Sequence, residues 1–137
     1  MKWKAGRSAG DNAAAALPKL VEPFFEGGRK ASAAANQEAL HRFRIRVKRF
    51  RYTLELFRPC YGPALDRRLE TLRRLQSCLG QMGDLNVVVR LAGRSPVAGR
   101  ARRELRAKVG EFQRMWGAFD REGAAGRWRA YLKRVRR

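Results

Sequence analysis

From Leu40 to Arg58 the chain reads LHRFRIRVKRFRYTLELFR, and the spacing of its apolar residues fixes what this stretch can become. Leu40, Phe43, Val47, Phe50, Leu54 and Phe57 recur at intervals of three and four. At about 100° per residue they share one face of an α-helix. The opposite side carries His41, Arg44, Lys48, Arg51, Tyr52 and Glu55, with most neighbours again three, four or seven apart. Arg42, Arg46 and Arg49 flank the apolar stripe. One helix therefore sets a core seam against a column of cationic donors. A column recurring about every turn suits an extended anion whose charges repeat along its length.

The rest of the chain reads as further helices. Residues 1–10 are basic and expected to be frayed. Asp11 is the expected N-cap of a first helix carrying Leu17, Leu20, Val21, Phe24 and Phe25, bent or divided by Pro18 and Pro23 and stopped by Gly27-Gly28. After a polar linker from Arg29 to Ala35, Asn36 caps the signature helix, which runs to about Cys60. Tyr61-Gly62-Pro63 forms a turn, and Pro63 opens a third helix ending near Leu79-Gly80, with a stripe of Leu65, Leu69, Leu72, Leu75 and Leu79. Gln76 intrudes on that stripe and is read as satisfying a neighbouring helix or its backbone. Asp84 is expected to cap a continuation from Leu85 to Ala92, or to pair with a base on the signature helix. Gly93-Arg94-Ser95-Pro96 is a break. A fourth helix follows from about Val97 to Arg121, and Gly123 to Gly126 separates it from a basic last helix, Arg127 to Arg136. No strand-like alternation of useful length occurs. The expected fold is all-α, an antiparallel bundle of four to five helices in one domain, 1–137.

Charge decides the class of partner. Lys and Arg number 32 against 12 Asp and Glu, a formal net charge of +20, while 45% hydrophobic residues are too many for a disordered basic tail. A compact state with that self-repulsion calls for a polyanion: nucleic acid, polyphosphate, or an anionic membrane or protein surface. Glu55 is expected to pair with Arg51 or Lys48, and Glu38 and Glu70 with one or two more bases, so most cations of the signature helix lack an internal acid. No apolar run approaches the roughly 20 residues of a bilayer span, and no signal peptide is evident. The single histidine, and two cysteines outside any CxxC pair, give no basis for a metal site or disulfide framework. Cys60 and Cys78 read as reduced thiols at helix-packing positions of a cytosolic protein. His41 has neither a nucleophile nor a second histidine nearby, so triad chemistry is not supported; a lone histidine at a helix start is more often structural, and as a hydrogen-bond donor to a phosphate oxygen or a pH-tunable cation it also fits the column it begins.

Two stretches resemble a known family. His41-Arg42-Phe43-Arg44-Ile45-Arg46-Val47-Lys48-Arg49-Phe50-Arg51-Tyr52-Thr53-Leu54-Glu55-Leu56-Phe57 is similar to the H-x-x-R-I-x-x-K-R-x-R-Y-x-x-E-x-F signature of the CHAD family, the conserved-histidine α-helical domain. Leu75-Gln76-Ser77-Cys78-Leu79-Gly80-Gln81-Met82-Gly83-Asp84-Leu85 is similar to its L-Q-x-x-L-G-x-x-x-D-L stretch, so the signature region is 40–92. The resemblance implies an all-helical protein that binds inorganic polyphosphate, often at polyphosphate granules, with His41, Arg44, Lys48, Arg49, Arg51 and Tyr52 as binding residues. It implies no cofactor. Family members usually hold two such bundles facing across a pseudo-twofold channel. This chain has one signature helix, of the second-repeat form, so two copies are expected to rebuild the pair as a homodimer. No E-x-E-x-K strand of a triphosphate-tunnel partner domain occurs, and no enzymatic activity is expected.

Two other functions fit the charge: a non-specific nucleic-acid-binding protein, and an adaptor bundle contacting an acidic protein or anionic membrane. The last helix places Trp128, Tyr131, Leu132 and Val135 among basic residues, a pattern compatible with base stacking but read as helix packing. No helix-turn-helix, RNA-recognition or zinc motif supports the nucleic-acid reading.

Overall fold

The computed structural model describes residues 2–136. In chain order it contains α1 (Ala9–Ala16), a 3-10 turn (Leu17–Leu20), α2 (Val21–Ala34), α3 (Gln37–Leu56), a second 3-10 turn (Arg58–Cys60), α4 (Ala64–Ala92), α5 (Pro96–Phe119) and α6 (Ala124–Lys133), with no strand among the described residues. Packing is closest between α4 and α5, then between α3 and α4 and between α2 and α3, while α2 also touches α5. Short connections return α3 beside α2, α4 beside α3 and α5 beside α4, giving the antiparallel arrangement expected. α6 and α1 pack on the first 3-10 turn. No helix among the described residues is long and apolar enough to cross a membrane.

The α3 stripe behaves as its spacing requires: Leu40, Phe43, Val47, Phe50, Leu54 and Phe57 are all buried. Phe24 of α2 stacks on Phe50 with ring centroids 4.4 Å apart and lies 5.4 Å from Phe43. Trp116 of α5 meets Phe43 edge-on at 5.3 Å. Such pairs add specific geometry to apolar burial, which is why α3 presents one fixed face to solvent. Trp128 and Leu132 of α6 are buried in the same core, as helix packing predicts.

Several boundaries differ from expectation. The cap of α1 is Ser8, whose Oγ accepts a hydrogen bond from the Asp11 amide at 3.1 Å, while Asp11 lies in the first turn. The segment expected to be frayed holds ordered contacts: the Asn12 side chain accepts from the Lys4 amide at 2.7 Å and donates to the Lys4 carbonyl at 3.0 Å. Pro18 lies in the 3-10 turn dividing α1 from α2, and Pro23 in the first turn of α2, where its missing N–H is harmless.

Gly27-Gly28 does not stop α2. A Cβ at Gly28 would lie 2.1 Å from Trp116 Cη2, so this glycine is a slot for the indole rather than a terminator. The helix ends instead at Ala35, in left-handed conformation with φ 50°, and Asn36 Oδ1 accepts from the Ala39 amide at 2.8 Å to start α3. In the same way α4 runs unbroken through Gly80, Gly83 and Asp84 to Ala92, so Asp84 caps nothing. The Gly93 to Pro96 break is present: Gly93 takes φ 59°, Ser95 caps α5 and Pro96 is its first residue. α6 begins at Ala124, with Gly126 inside it, because Gly123 at φ 78° completes the turn alone.

Candidate functional site

Capping by Asn36 and burial of the α3 stripe fix the phase of the helix, which turns its cationic column toward the flank of α4. Two adjoining hollows run between these helices. The first, about 370 Å³, is lined from α3 by Gln37, His41 and Arg44 and from α4 by Gly83, Asp84 and Arg90, among others. The second, about 330 Å³, is lined by Arg44, Arg51, Arg73, Gln76, Ser77 and Gly80. Arg44 belongs to both, so the hollows form one groove with its guanidinium at the waist.

The two helical glycines explain the position of Arg44. A Cβ at Gly83 would lie 3.4 Å from Arg44 Nη1, and one at Gly80 would lie 3.7 Å from Nη2. The guanidinium therefore rests on bare helix backbone, where larger side chains would crowd it. Among the described residues, the Arg44 side chain makes no hydrogen bond or ion pair. Glu38 is engaged by Arg42, Glu70 by Arg73 and Arg74, and Glu55 by Arg51 and Arg73, while Asp84 lines the same hollow without forming an ion pair with Arg44. Arg44 thus keeps its five N–H donors for a ligand.

Arg51 is held differently. Its Nη1 donates to Glu55 Oε1 at 2.8 Å and its Nε to Gln76 Oε1 at 2.8 Å, and its side chain is only 14% exposed. The expected Arg51–Glu55 pair forms, and Gln76 satisfies the neighbouring helix as read from the sequence. Glu55 Oε1 also accepts from Arg73 Nη2 at 3.1 Å, so one carboxylate serves two guanidiniums and leaves that end of the groove positive. Tyr52 is exposed and its ring faces cations, with Arg51 Cζ 4.6 Å and Lys48 Nζ 5.7 Å from its centroid. Lys48 is exposed on the same face and lines neither hollow.

Of the six residues assigned to the site, His41, Arg44 and Arg51 line the groove, and Lys48 and Tyr52 lie on the exposed face of α3 and do not line it. Arg49 stands apart, lining a small hollow against α2 with Arg46, Pro23 and Phe24. Its place at the edge of the helical wheel resolves toward α2, because α4 occupies the other flank. The sequence reading did not include Arg73 and Arg90, which α4 brings to the groove. The second motif carried a partial signal, since its Gln76, Gly80 and Asp84 all line the groove.

Chemically the groove is a row of fixed N–H donors with a positive balance on an all-α bundle, the construction of a protein that holds an elongated anion. A family model for the CHAD domain matches residues 2–93. The chain belongs to the CHAD domain family. No curated protein and no solved structure matches the chain.

Proposed function

We propose that the chain binds inorganic polyphosphate in the α3–α4 groove without turning it over, and that this binding places it at cytoplasmic polyphosphate granules. The observation that carries this reading is Arg44, a guanidinium without a partner among the described residues, at the waist of a groove whose end toward Arg51 holds two further basic side chains, Arg51 and Arg73, and one acid shared between them. Linear polyphosphate repeats its charge along its length, as the column does along α3, at about 1.5 Å rise per residue. Membership of the CHAD family supports the polyanion class of ligand. No cofactor is invoked.

Competition tests the ligand. Unlabelled long-chain polyphosphate is expected to displace labelled DNA far better than DNA displaces labelled polyphosphate, and both affinities fall steeply with salt. Equal competition in both directions would favour non-specific electrostatics and refute the assignment. Charge reversal at Arg44 and Lys48 is expected to abolish polyphosphate binding with helicity kept.

We further infer a homodimer in which two copies align their grooves, because one signature helix supplies one column. Light scattering with and without polyphosphate decides this. A monomer in both conditions removes the dimer and leaves the groove assignment standing.

A further inference from the structure

A second basic hollow lies between α4, α5 and α6, away from the α3 column and formed in part beyond the residues matched by the family model. It measures about 430 Å³, and its rim carries Arg67, Arg68, Arg74, Arg121 and Arg127 with no carboxylate in the lining. Beneath the rim the lining is apolar: Leu75, Met115, Phe119 and Trp128.

These cations are only lightly engaged. The Arg67 side chain makes no hydrogen bond or ion pair among the described residues, and Arg74 Nε approaches Glu70 at 3.7 Å. Arg121 donates to the Ala118 carbonyl in the last turn of α5 at 3.0 Å and Arg127 to the Glu122 carbonyl of the α5–α6 turn at 2.9 Å, which leaves most of their donors free. Arg68 is clamped over the rings of Trp128 and Tyr131, at 4.9 and 4.2 Å from their centroids. Desolvation among these rings pulls its pKa below the usual arginine range, a cost that an anion in the cleft would offset. α6 starts at this cleft with no side chain capping it, so the positive end of its dipole adds to the field.

We propose that this cleft binds a small phosphorylated ligand bearing a flat apolar ring, of the nucleoside triphosphate type. Its arginine rim matches several phosphates, and its floor offers the partly exposed Met115 and Phe119 to a ring. An inorganic phosphate chain would use the rim and leave the floor wet. A cleft of this size with an apolar lining and a few polar groups has the form of a small-ligand site. The proposal does not depend on the groove reading, because the two sites share no lining residue.

Isothermal titration of the full chain carrying Arg44→Glu and Lys48→Glu, which removes phosphate binding in the α3–α4 groove, with ATP and with inorganic triphosphate at matched ionic strength, tests it. A single ATP per chain is expected, bound at least about tenfold tighter than triphosphate, since every ~1.4 kcal/mol is tenfold. Adding Arg67→Glu with Arg127→Glu is expected to weaken ATP by about tenfold or more, while adding Arg103→Glu with Arg106→Glu, exposed cations of α5 that line neither site, leaves ATP unchanged. Should the double reversal fail to fold by circular dichroism, Arg67→Gln alone serves, because that side chain has no partner to lose; a several-fold weakening is expected. Equal affinity for ATP and triphosphate, or equal losses from the two variant pairs, overturns the proposal. Tighter binding of single-stranded DNA than of ATP per site would also overturn it, in favour of a nucleic-acid surface.

Discussion

Arg44 and Arg51 lie two turns apart on one helix face, yet they should respond to truncation in opposite ways. Arg44 makes no hydrogen bond or ion pair among the described residues, so Arg44→Ala gives up only the packing of its stem over Gly80 and Gly83, under about 1 kcal/mol. Arg51→Ala strands the Gln76 carbonyl oxygen, 2.8 Å from its Nε, and leaves Glu55 with Arg73 alone, on the half-buried side of the groove. Leaving such partners unpaired costs ~1–3 kcal/mol, and at about 3–5 °C per kcal/mol the melting temperature should fall visibly. For ligand binding the order reverses. A free guanidinium that meets phosphate makes charge-assisted hydrogen bonds worth ~1.5–3 kcal/mol, so Arg44→Ala should weaken polyphosphate by roughly 10- to 150-fold. Its salt slope should also flatten by about one contact. The assay is fluorescence anisotropy with labelled polyphosphate at several salt concentrations, beside thermal melts of the same samples. Wild-type affinity and slope in Arg44→Ala, or a melting loss matching that of Arg51→Ala, would refute the reasoning.

Other positions give independent checks. Gly28→Ala drives a methyl into the Trp116 ring and is expected to destabilise by ~1–3 kcal/mol, whereas Gly117→Ala, with open space at its Cβ, should be neutral or stabilising by up to about 1 kcal/mol; urea melts compare them. Ala35→Gly relieves a left-handed alanine between α2 and α3 and should raise stability by ~0.5–1 kcal/mol in the same melts. Burial raises the pKa of the Cys78 thiol, so it keeps its proton to higher pH than a free cysteine; in a thiol-reagent titration the half-buried Cys60 should react first and Cys78 lag, with the gap closing in denaturant.

How far the structure could be read in advance depended on whether a residue's meaning was local. Phe43, Val47, Phe50 and Leu54 announce a helix and its inward face by spacing alone, and Asn36 announces a helix start through a bond that spans only the first turn. Gly28, Gly80 and Gly83 were opaque for the opposite reason. Inside a helix, glycine signals either an end or a close approach, and only the arrival of Trp116 or Arg44 from another helix decides which. Arg49 illustrates the same limit on the site. Its angle on α3 put it at the margin of the column, and the placement of α2 on that side separated it from Arg44. Arg73 and Arg90 became visible once α4 proved continuous, since a helix broken at Gly80 gives no common face to the two.

The account rests on the α3–α4 groove, and one measurement reaches it directly: the structure of the chain bound to a short polyphosphate. Phosphate oxygens within hydrogen-bond distance of Arg44, running between α3 and α4 toward Arg73, are the predicted result. A chain of phosphates lying along α5 and α6 with Arg44 untouched would contradict it.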